Sequence, residues 1–209
     1  TIAVAVSGGP DSLALIYLMN DWIKNQRGKV IAILIDHKLR KESYNECIIT
    51  KKYLNSLNIK SKIIRISKHK LKKKNMNEAR LNRYHQLISY CKNKKILHLF
   101  LGHHYDDNLE TFLIRKIACS NIEGLGSMHM SSVLNKIQLI RPLLNYTKNE
   151  IIEFNRINNI DYVNDDSNYN TKYTRVCIRE FLKQTENIKI IKEDFEKIAK
   201  SVPDYKKND

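Results

Sequence analysis

Short, continuously apolar runs alternate with longer amphipathic stretches through the first half of the chain. The apolar runs cover Ile2–Val6, residues 30–35 and residues 96–101, and residues 61–66 form a more polar fourth run. Each run has the length of a strand, and helical periodicity follows it, as around residues 43–57, where Ile49, Tyr53 and Leu57 are spaced to share one helix face. Strands without a polar face must be covered on both sides of their sheet. The pattern therefore predicts an α/β fold with a parallel, doubly wound sheet.

The second half of the chain is more helical. Residues 147–150 read Thr-Lys-Asn-Glu, a capping-box pattern that marks a helix start. Residues 161–171 are polar and predict a loop. Ile188, Ile191, Phe195 and Ile198 recur on one face of a C-terminal helix. That face must pack on this domain or on a further one, so we expect a helical C-terminal extension.

The chain is strongly basic, and its charge is uneven. Its 209 residues carry a net charge of +15, and residues 60–95 contain thirteen Lys or Arg and one acid, Glu78. A concentrated positive field attracts polyanions, so nucleic acid is the leading partner, with a solvated basic face as the alternative. No apolar run approaches the roughly 18 residues of a membrane span, so no membrane contact is expected. The four cysteines form no CxxC pair, which disfavours a zinc or iron–sulfur site.

A glycine-containing turn follows the first strand and precedes the first helix. It consists of Ser7, Gly8, Gly9, Pro10, Asp11 and Ser12. Glycines let the backbone approach an anion closely, and the amides at a helix start bind phosphate. The proline suits the first helical position. The acid is unexpected in a purely anion-binding turn, which favours a bridging Mg²⁺. The turn is neither a Walker A loop nor a GxGxxG motif.

A second polar cluster follows the apolar run 96–101. Residues 102–111 read GHHYDDNLET, at the sheet edge where open α/β proteins bind ligands. His103, Asp107 and Glu110 are spaced to share one helix face. Clustered carboxylates repel each other unless Mg²⁺ or an ammonium group balances them. A capped, solvent-facing helix start is the competing interpretation.

The turn at residues 7–12 resembles the SGGxDS loop of the N-type ATP pyrophosphatases, or PP-loop enzymes. The resemblance implies their adenine nucleotide alpha hydrolase-like fold, and a loop that holds the pyrophosphate released from ATP. Residues 102–111 resemble the GHHxxDDxxET motif of the tRNA-modifying members. Two families share both motifs, the tRNA(Ile)-lysidine synthetases and the tRNA cytidine 2-thiolation enzymes.

Further segments resemble the lysidine synthetases. Residues 36–40 (DHKLR) resemble their DHxLR motif, residues 78–84 (EARLNRY) their EARxxRY helix, and residues 141–144 their RPLL. Residues 166–168 with Arg175 to Arg179 resemble their DxSN…RNxxR segment, although Val176 replaces the family Asn. The thiolation enzymes use paired cysteines for an iron–sulfur cluster, and this chain has no such pair.

The resemblance implies a two-step reaction. The C2 oxygen of the wobble cytidine in a CAU-anticodon tRNA(Ile) attacks the α-phosphate of ATP, and free L-lysine then displaces AMP. By this reading Asp107, Glu110 and Arg175 are catalytic, and Asp11 and Asp107 hold Mg²⁺. The turn residues, with Asp36 and His103, bind ATP. Arg80, Arg83 and Arg179 bind tRNA, with an ion pair as the alternative for the first two. His104 is interpreted as structural.

The resemblance also implies a domain organisation and a location. We expect a catalytic domain over residues 1–185 and a C-terminal helix or linker over residues 186–209, without the tRNA-binding domains that usually follow. Relatives include homodimers. The location expected is the cytoplasm of a bacterium, with an organelle as the alternative. Two other functions stay open: tRNA 2-thiolation, and a degenerate domain that binds tRNA without turnover.

Overall fold

A computed structural model of the chain describes residues 1–38, 43–66, 76–126, 128–162 and 174–202. The predicted loop beyond residue 162, the Asp-Ser-Asn segment at 166–168, the lysine run at 68–74 and residues 39–40 lie outside these ranges. The strands of the described part are β1 (Ile2–Val6), β2 (Val30–Asp36), β3 (Lys60–Arg65), β4 (His98–Phe100), β5 (Ser131–Leu134) and β6 (Ile137–Ile140). Its helices are α1 (Pro10–Asn25), α2 (Ser43–Ser56), α3 (Met76–Asn93), α4 (Tyr105–Ile117), α5 (Ile122–Leu125), α6 (Lys148–Ile157), α7 (Thr174–Gln184) and α8 (Ile188–Ser201).

The strands form one sheet in the order β3-β2-β1-β4-β6-β5. The first five of these are parallel, which confirms the predicted sheet, and β5 pairs antiparallel with β6 at the edge. The chain proceeds outward from β1 through β2 to β3 and then returns to place β4 on the other side of β1. Loops that follow β1 and β4 therefore meet at the point where the strand order reverses, where ligands bind in such sheets.

The β5–β6 hairpin was missed in the sequence. Its turn is made by Asn135 and Lys136, which have φ values of +53° and +67°. Two left-handed residues suit a tight hairpin, but lysine is not a residue that signals one. Each strand has four residues and only partial burial, so the apolar pattern was too short to predict it.

Apolar side chains cover both faces of the sheet. Val4 and Leu34 pack on one side with residues of α1, α2 and α6, while Ala3 and Ile33 pack on the other side with residues of α3. Side chains of successive strand residues thus pack in apolar clusters on opposite faces, as expected for a sheet with helices on both sides. The predicted face of α2 was wrong in part, because Ile49 is 57% exposed. Cys47, Thr50 and Leu54 are the buried residues of that helix.

The C-terminal helices pack on α4. Phe195 of α8 is buried, and its ring lies 5.4 Å from that of Phe112 and 5.7 Å from that of Tyr105. The apolar face predicted for α8 is therefore covered by this domain. Across the described ranges, the structure has no helix long and apolar enough to cross a membrane. The division of the chain at residue 185 stays a prediction.

Candidate active site

The turn after β1 adopts the conformation that its glycines predict. Gly8 has φ +91°, and a Cβ atom there would lie 2.5 Å from the Oγ1 atom of Thr50. Ser12 Oγ accepts a hydrogen bond from the Ser7 amide at 3.1 Å and donates one to the Gly9 carbonyl at 3.0 Å. Pro10 is the first residue of α1, as predicted. These contacts hold the turn in shape at the start of a helix, where its dipole favours an anion.

Gly102 brings the second motif against the first. A Cβ atom on Gly102 would lie 3.2 Å from the backbone carbonyl of Asp11 and 3.3 Å from the amide nitrogen of Ser12. Contacts of this length are tighter than an ordinary van der Waals contact, so a glycine favours the close approach of the loop after β4 to the start of α1. The two sequence motifs therefore form one site.

His104 lies at the centre of three carboxylates. It is 6% exposed, and its Nε2 atom lies 3.8 Å from Asp11 Oδ1 and 3.5 Å from Asp107 Oδ2. Its Nδ1 atom lies 3.5 Å from Asp106 Oδ2. Burial acts to lower the pKa of His104, but the interaction with Asp106 and the charges of Asp107 and Asp11 outweigh it, and the pKa is raised. The raised pKa favours the protonated form of His104, whose charge would balance these acids, and this extends the structural role predicted for the residue.

Glu110 joins α4 to α7 through two arginines. Its side chain is 2% exposed, and its carboxylate accepts from Arg179 Nε at 2.5 Å and from Arg175 Nη1 at 3.2 Å. Asp107 Oδ1 lies 3.8 Å and 3.9 Å from the same two guanidinium groups. Arg175 and Arg179 are one helical turn apart, so both project from the same face of α7. Val176 lies between them and is buried, where an apolar side chain needs no polar partner.

His103 lies before the helix and not on it. The helix α4 begins at Tyr105, so the predicted helical face shared by His103, Asp107 and Glu110 was wrong for its first member. Burial lowers the pKa of His103 to about 3, aided by the charges of four arginines, which are Arg141, Arg83, Arg80 and Arg175. A neutral imidazole therefore faces a strongly positive region.

Arg141 belongs to that region, although the sequence motif at 141–144 gave it no site role. It is 8% exposed, and its Nη1 atom donates to the His129 carbonyl at 2.8 Å and to Ser132 Oγ at 3.1 Å. The β5–β6 hairpin thus positions a buried charge beside His103. The signal that could have identified Arg141 was its place directly after a strand, at the ligand-binding edge of the sheet.

Asp36 is buried at the end of β2 and bound by protein groups. Its Oδ1 atom accepts from the Lys38 amide and from Ser43 Oγ, both at 3.0 Å, and Oδ2 accepts from Arg65 Nε at 3.2 Å. With 1% exposure, the carboxylate joins β2, β3 and α2. The structure therefore gives Asp36 a positioning role, and its contact with ATP stays a prediction.

Arg80 and Arg83 occupy different environments on α3. Arg80 is exposed, whereas Arg83 is half-buried and its pKa is lowered by burial and by the charge of Arg80. Both contribute to the positive field around His103. Neither position distinguishes a phosphate contact from an internal role, so tRNA binding by these residues stays a prediction.

Comparison with known proteins places this site in context. Residues 1–186 match the PP-loop domain family. The chain is 39% identical to a tRNA(Ile)-lysidine synthase of Wolbachia pipientis wMel over 194 residues, 92% of this chain and 45% of that protein. It is 40% identical to the tRNA(Ile)-lysidine synthase of Rickettsia akari over 182 residues, 87% of this chain and 42% of that protein. The chain thus spans less than half the length of these curated relatives.

A solved structure has a similar fold. The U34-tRNA thiolase NcsA from Methanococcus maripaludis, solved with its [4Fe-4S] cluster, superposes with a TM-score of 0.75 and 19% identity. The match covers 99% of this chain and 74% of the thiolase chain. At this identity the likeness establishes the fold, and the chemistry has to be argued from the site itself.

Proposed function

The chain belongs to the PP-loop domain family, and from this membership we propose that it carries out the ATP-dependent formation of lysidine in tRNA(Ile). The observation that carries the proposal is that the turn at residues 7–12 and the acids of α4 meet at the switch point of the sheet. The similarity to lysidine synthases over most of the chain supports the choice of reaction. ATP, free L-lysine and a tRNA with a CAU anticodon are the proposed substrates.

In the first step, the proposed role of the turn is to bind the pyrophosphate that leaves the α-phosphate of ATP. The C2 oxygen of cytidine forms a bond to the α-phosphorus, and the bond to the β-phosphate oxygen breaks. Backbone amides near Gly8 and Gly9 stabilise the charge that develops on the leaving group, as preorganised donors do in other enzymes. Arg141 and Arg175, close enough to His103 to depress its pKa, supply the positive field for the α-phosphate.

Asp11 and Asp107 fit a magnesium ion. Both carboxylates lie within 4 Å of one atom, His104 Nε2. The described residues contain no set of three His, Cys, Asp or Glu side chains arranged as a metal site. Mg²⁺ commonly binds through one or two carboxylates and completes its shell with phosphate oxygens and water, so two acids suffice. When bound, the ion would neutralise charge on the phosphates.

In the second step, the lysine amine attacks C2 of the activated cytidine, and the bond from C2 to the oxygen of AMP breaks. We assign the contacts with lysine to Asp107, Glu110 and Arg175. A planar guanidinium suits the lysine carboxylate, and carboxylates suit an ammonium group. Because Glu110 already binds two arginines, Asp107 is the acid with more freedom to contact a substrate, at 17% side-chain exposure.

The experiment is nucleoside mass spectrometry of tRNA(Ile) after incubation of the full-length protein with ATP, Mg²⁺ and labelled lysine. We expect labelled lysidine, together with AMP and pyrophosphate. Asp107→Asn should abolish the product while the circular dichroism spectrum still shows a folded protein. Asp21→Asn, on the exposed part of α1, is the matched control and should retain full activity. Full turnover by Asp107→Asn would remove this residue from the site.

The thiolation alternative requires cysteines that act together. Cys47 and Cys91 are buried in different apolar clusters, on opposite faces of the sheet. Their placement disfavours a shared cluster. Formation of 2-thiocytidine in a parallel incubation that also contains a sulfur donor would overturn the lysidine proposal. Binding of tRNA without release of pyrophosphate would instead support the degenerate domain.

We further propose that Arg80, Arg83 and Arg179 contact tRNA. Arg80 is the most accessible of the three, while Arg179 is bound to Glu110 and would contact RNA only with its exposed part. The cytoplasmic location and the homodimer also stay proposals. Phosphate contacts depend on salt, so loss of a contacting arginine should reduce the salt dependence of tRNA affinity.

A further inference from the structure

Lys148 contacts both the turn at residues 7–12 and the start of α4, although the capping-box pattern at residues 147–150 gave it no site role. It is the first residue of α6. Its Nζ atom donates to Asp11 Oδ1 at 2.5 Å, and its backbone amide donates to Asp106 Oδ2 at 2.6 Å. Lys148 therefore links Asp11, in the turn at residues 7–12, to Asp106 at the start of α4.

The helix that carries Lys148 is docked firmly on the turn. Asn155, which is fully buried on α6, donates from Nδ2 to the carbonyl of Pro10 at 3.0 Å. The Tyr105 amide donates to the Tyr146 carbonyl at 2.8 Å, just before α6 begins. These contacts place the ammonium beside the turn through groups that do not depend on its charge.

The pairing of Lys148 with Asp11 compensates a negative charge beside the turn. Asp11 lies in the first turn of α1, beside the amides proposed to bind pyrophosphate. An uncompensated carboxylate there would repel a phosphate group. The Lys148 side chain is 35% exposed, and an ammonium has three donors, so it can contact Asp11 and a phosphate oxygen together.

We propose that Lys148 is a pyrophosphate ligand of the nucleotide site, placed beside the turn by the docked helix α6 and paired there with Asp11. The inference rests on the proposed function, because it takes the turn to be the place where pyrophosphate departs. It adds a residue of α6 to a site that already contains the turn after β1, the acids of α4, Arg141 and Arg175. The flexible four-carbon stem of lysine allows the ammonium to follow the phosphate as the bond to the α-phosphorus breaks.

Calorimetric binding of inorganic pyrophosphate to the full-length protein in EDTA tests the proposal without turnover or metal. We expect Lys148→Met to weaken binding about tenfold, as for loss of one charge-assisted hydrogen bond. Lys148→Arg should stay close to the wild type, and Lys148→Gln is a second variant if the methionine protein is poorly folded. Lys24→Met, an exposed lysine in the last turn of α1, is the matched control.

A double variant separates direct binding from simple neutralisation of Asp11. If Lys148 binds phosphate itself, Lys148→Met should still weaken binding in an Asp11→Asn background. Wild-type affinity in Lys148→Met and Lys148→Gln, or loss of their effect in that background, would overturn the proposal. Pyrophosphate binding by a wild type that makes no lysidine would contradict the proposed function while leaving the role of Lys148 intact. If the wild type binds pyrophosphate only with Mg²⁺ present, the same variants are compared in Mg²⁺, and a wild type that binds in neither condition would contradict both proposals.

Discussion

Replacement of Glu110 by glutamine tests whether the link between α4 and α7 stabilises the fold. The carboxylate is almost fully buried and accepts three hydrogen bonds, at 2.5 and 3.3 Å from Arg179 and at 3.2 Å from Arg175. Glutamine has nearly the same volume, so the change removes charge without opening a cavity. Its NH₂ group would also face guanidinium donors, because only one side-chain oxygen remains to accept.

The expected cost lies between two limits. Loss of one partner from a fully buried ion pair costs about 3–5 kcal/mol, and an exposed pair contributes about 0.2–1 kcal/mol. Glu110 is buried, but the side chains of Arg175 and Arg179 are 33% and 37% exposed, so water solvates part of the charge left behind. We therefore expect a loss of about 2 kcal/mol in the free energy of unfolding.

Urea denaturation followed by circular dichroism measures this loss. With a slope of about 2 kcal/mol per molar, the midpoint should fall by about 1 M. Glu180→Gln is the control, since Glu180 lies on α7 with the two arginines but its pair with Lys183 is largely exposed, and the midpoint should not move. An unchanged midpoint for Glu110→Gln would show that the two arginines are solvated well enough without it, and the reasoning on burial would be wrong.

Three further predictions concern the turn, a buried histidine and the C-terminal helix. Gly8→Ala should lower the free energy of unfolding by about 1–3 kcal/mol, because φ is +91° and Thr50 blocks a Cβ. In urea titrations, adding Thr50→Ala to the Gly8→Ala protein should recover only part of this loss, because the strain at positive φ remains. His103 binds a proton below pH 6.5 when unfolded but only near pH 3 when folded, so stability should fall as the pH drops through that window. His103→Gln should flatten this decline in a series of titrations from pH 7 to 4, and an unchanged slope would contradict the assignment. Phe195→Ala should cost about 3–5 kcal/mol, because the ring packs on two aromatic rings of α4; Ile190→Ala, at an exposed position of α8, should cost far less.

The turn at residues 7–12 was predictable because its conformation depends on the residue types within it. A left-handed Gly8 and a proline at the first helical position follow from the residue types themselves, and the structure has both. The capping box at Thr147 is equally local, and its side chain accepts from the Glu150 amide at 3.3 Å. Each of these features depends on residues that are close to one another in the sequence.

The errors arose where local pattern and tertiary packing differ. Ile49 satisfied the helical spacing of α2 but is exposed, because the helix docks through Cys47 and Leu54 instead. His103 was spaced as if on α4, but the helix begins two residues later, at Tyr105. Spacing identifies which residues share a helix face, but it does not show where the helix starts or which face is covered.

By itself the sequence determined the strand and helix alternation, the phosphate turn and the set of acids after β4, because apolar runs and glycine conformations are properties of neighbouring residues. Only the tertiary structure decided which charges pair. Arg179 meets Glu110 across 69 residues of sequence, and Lys148 meets Asp11 across 137. Such pairs exist only after α6 and α7 have docked on the sheet and α4, and docking depends on burial of apolar area that is summed over whole helices. No local sequence pattern gives this total buried area, so the charge pairs of this site could be identified only from the tertiary structure.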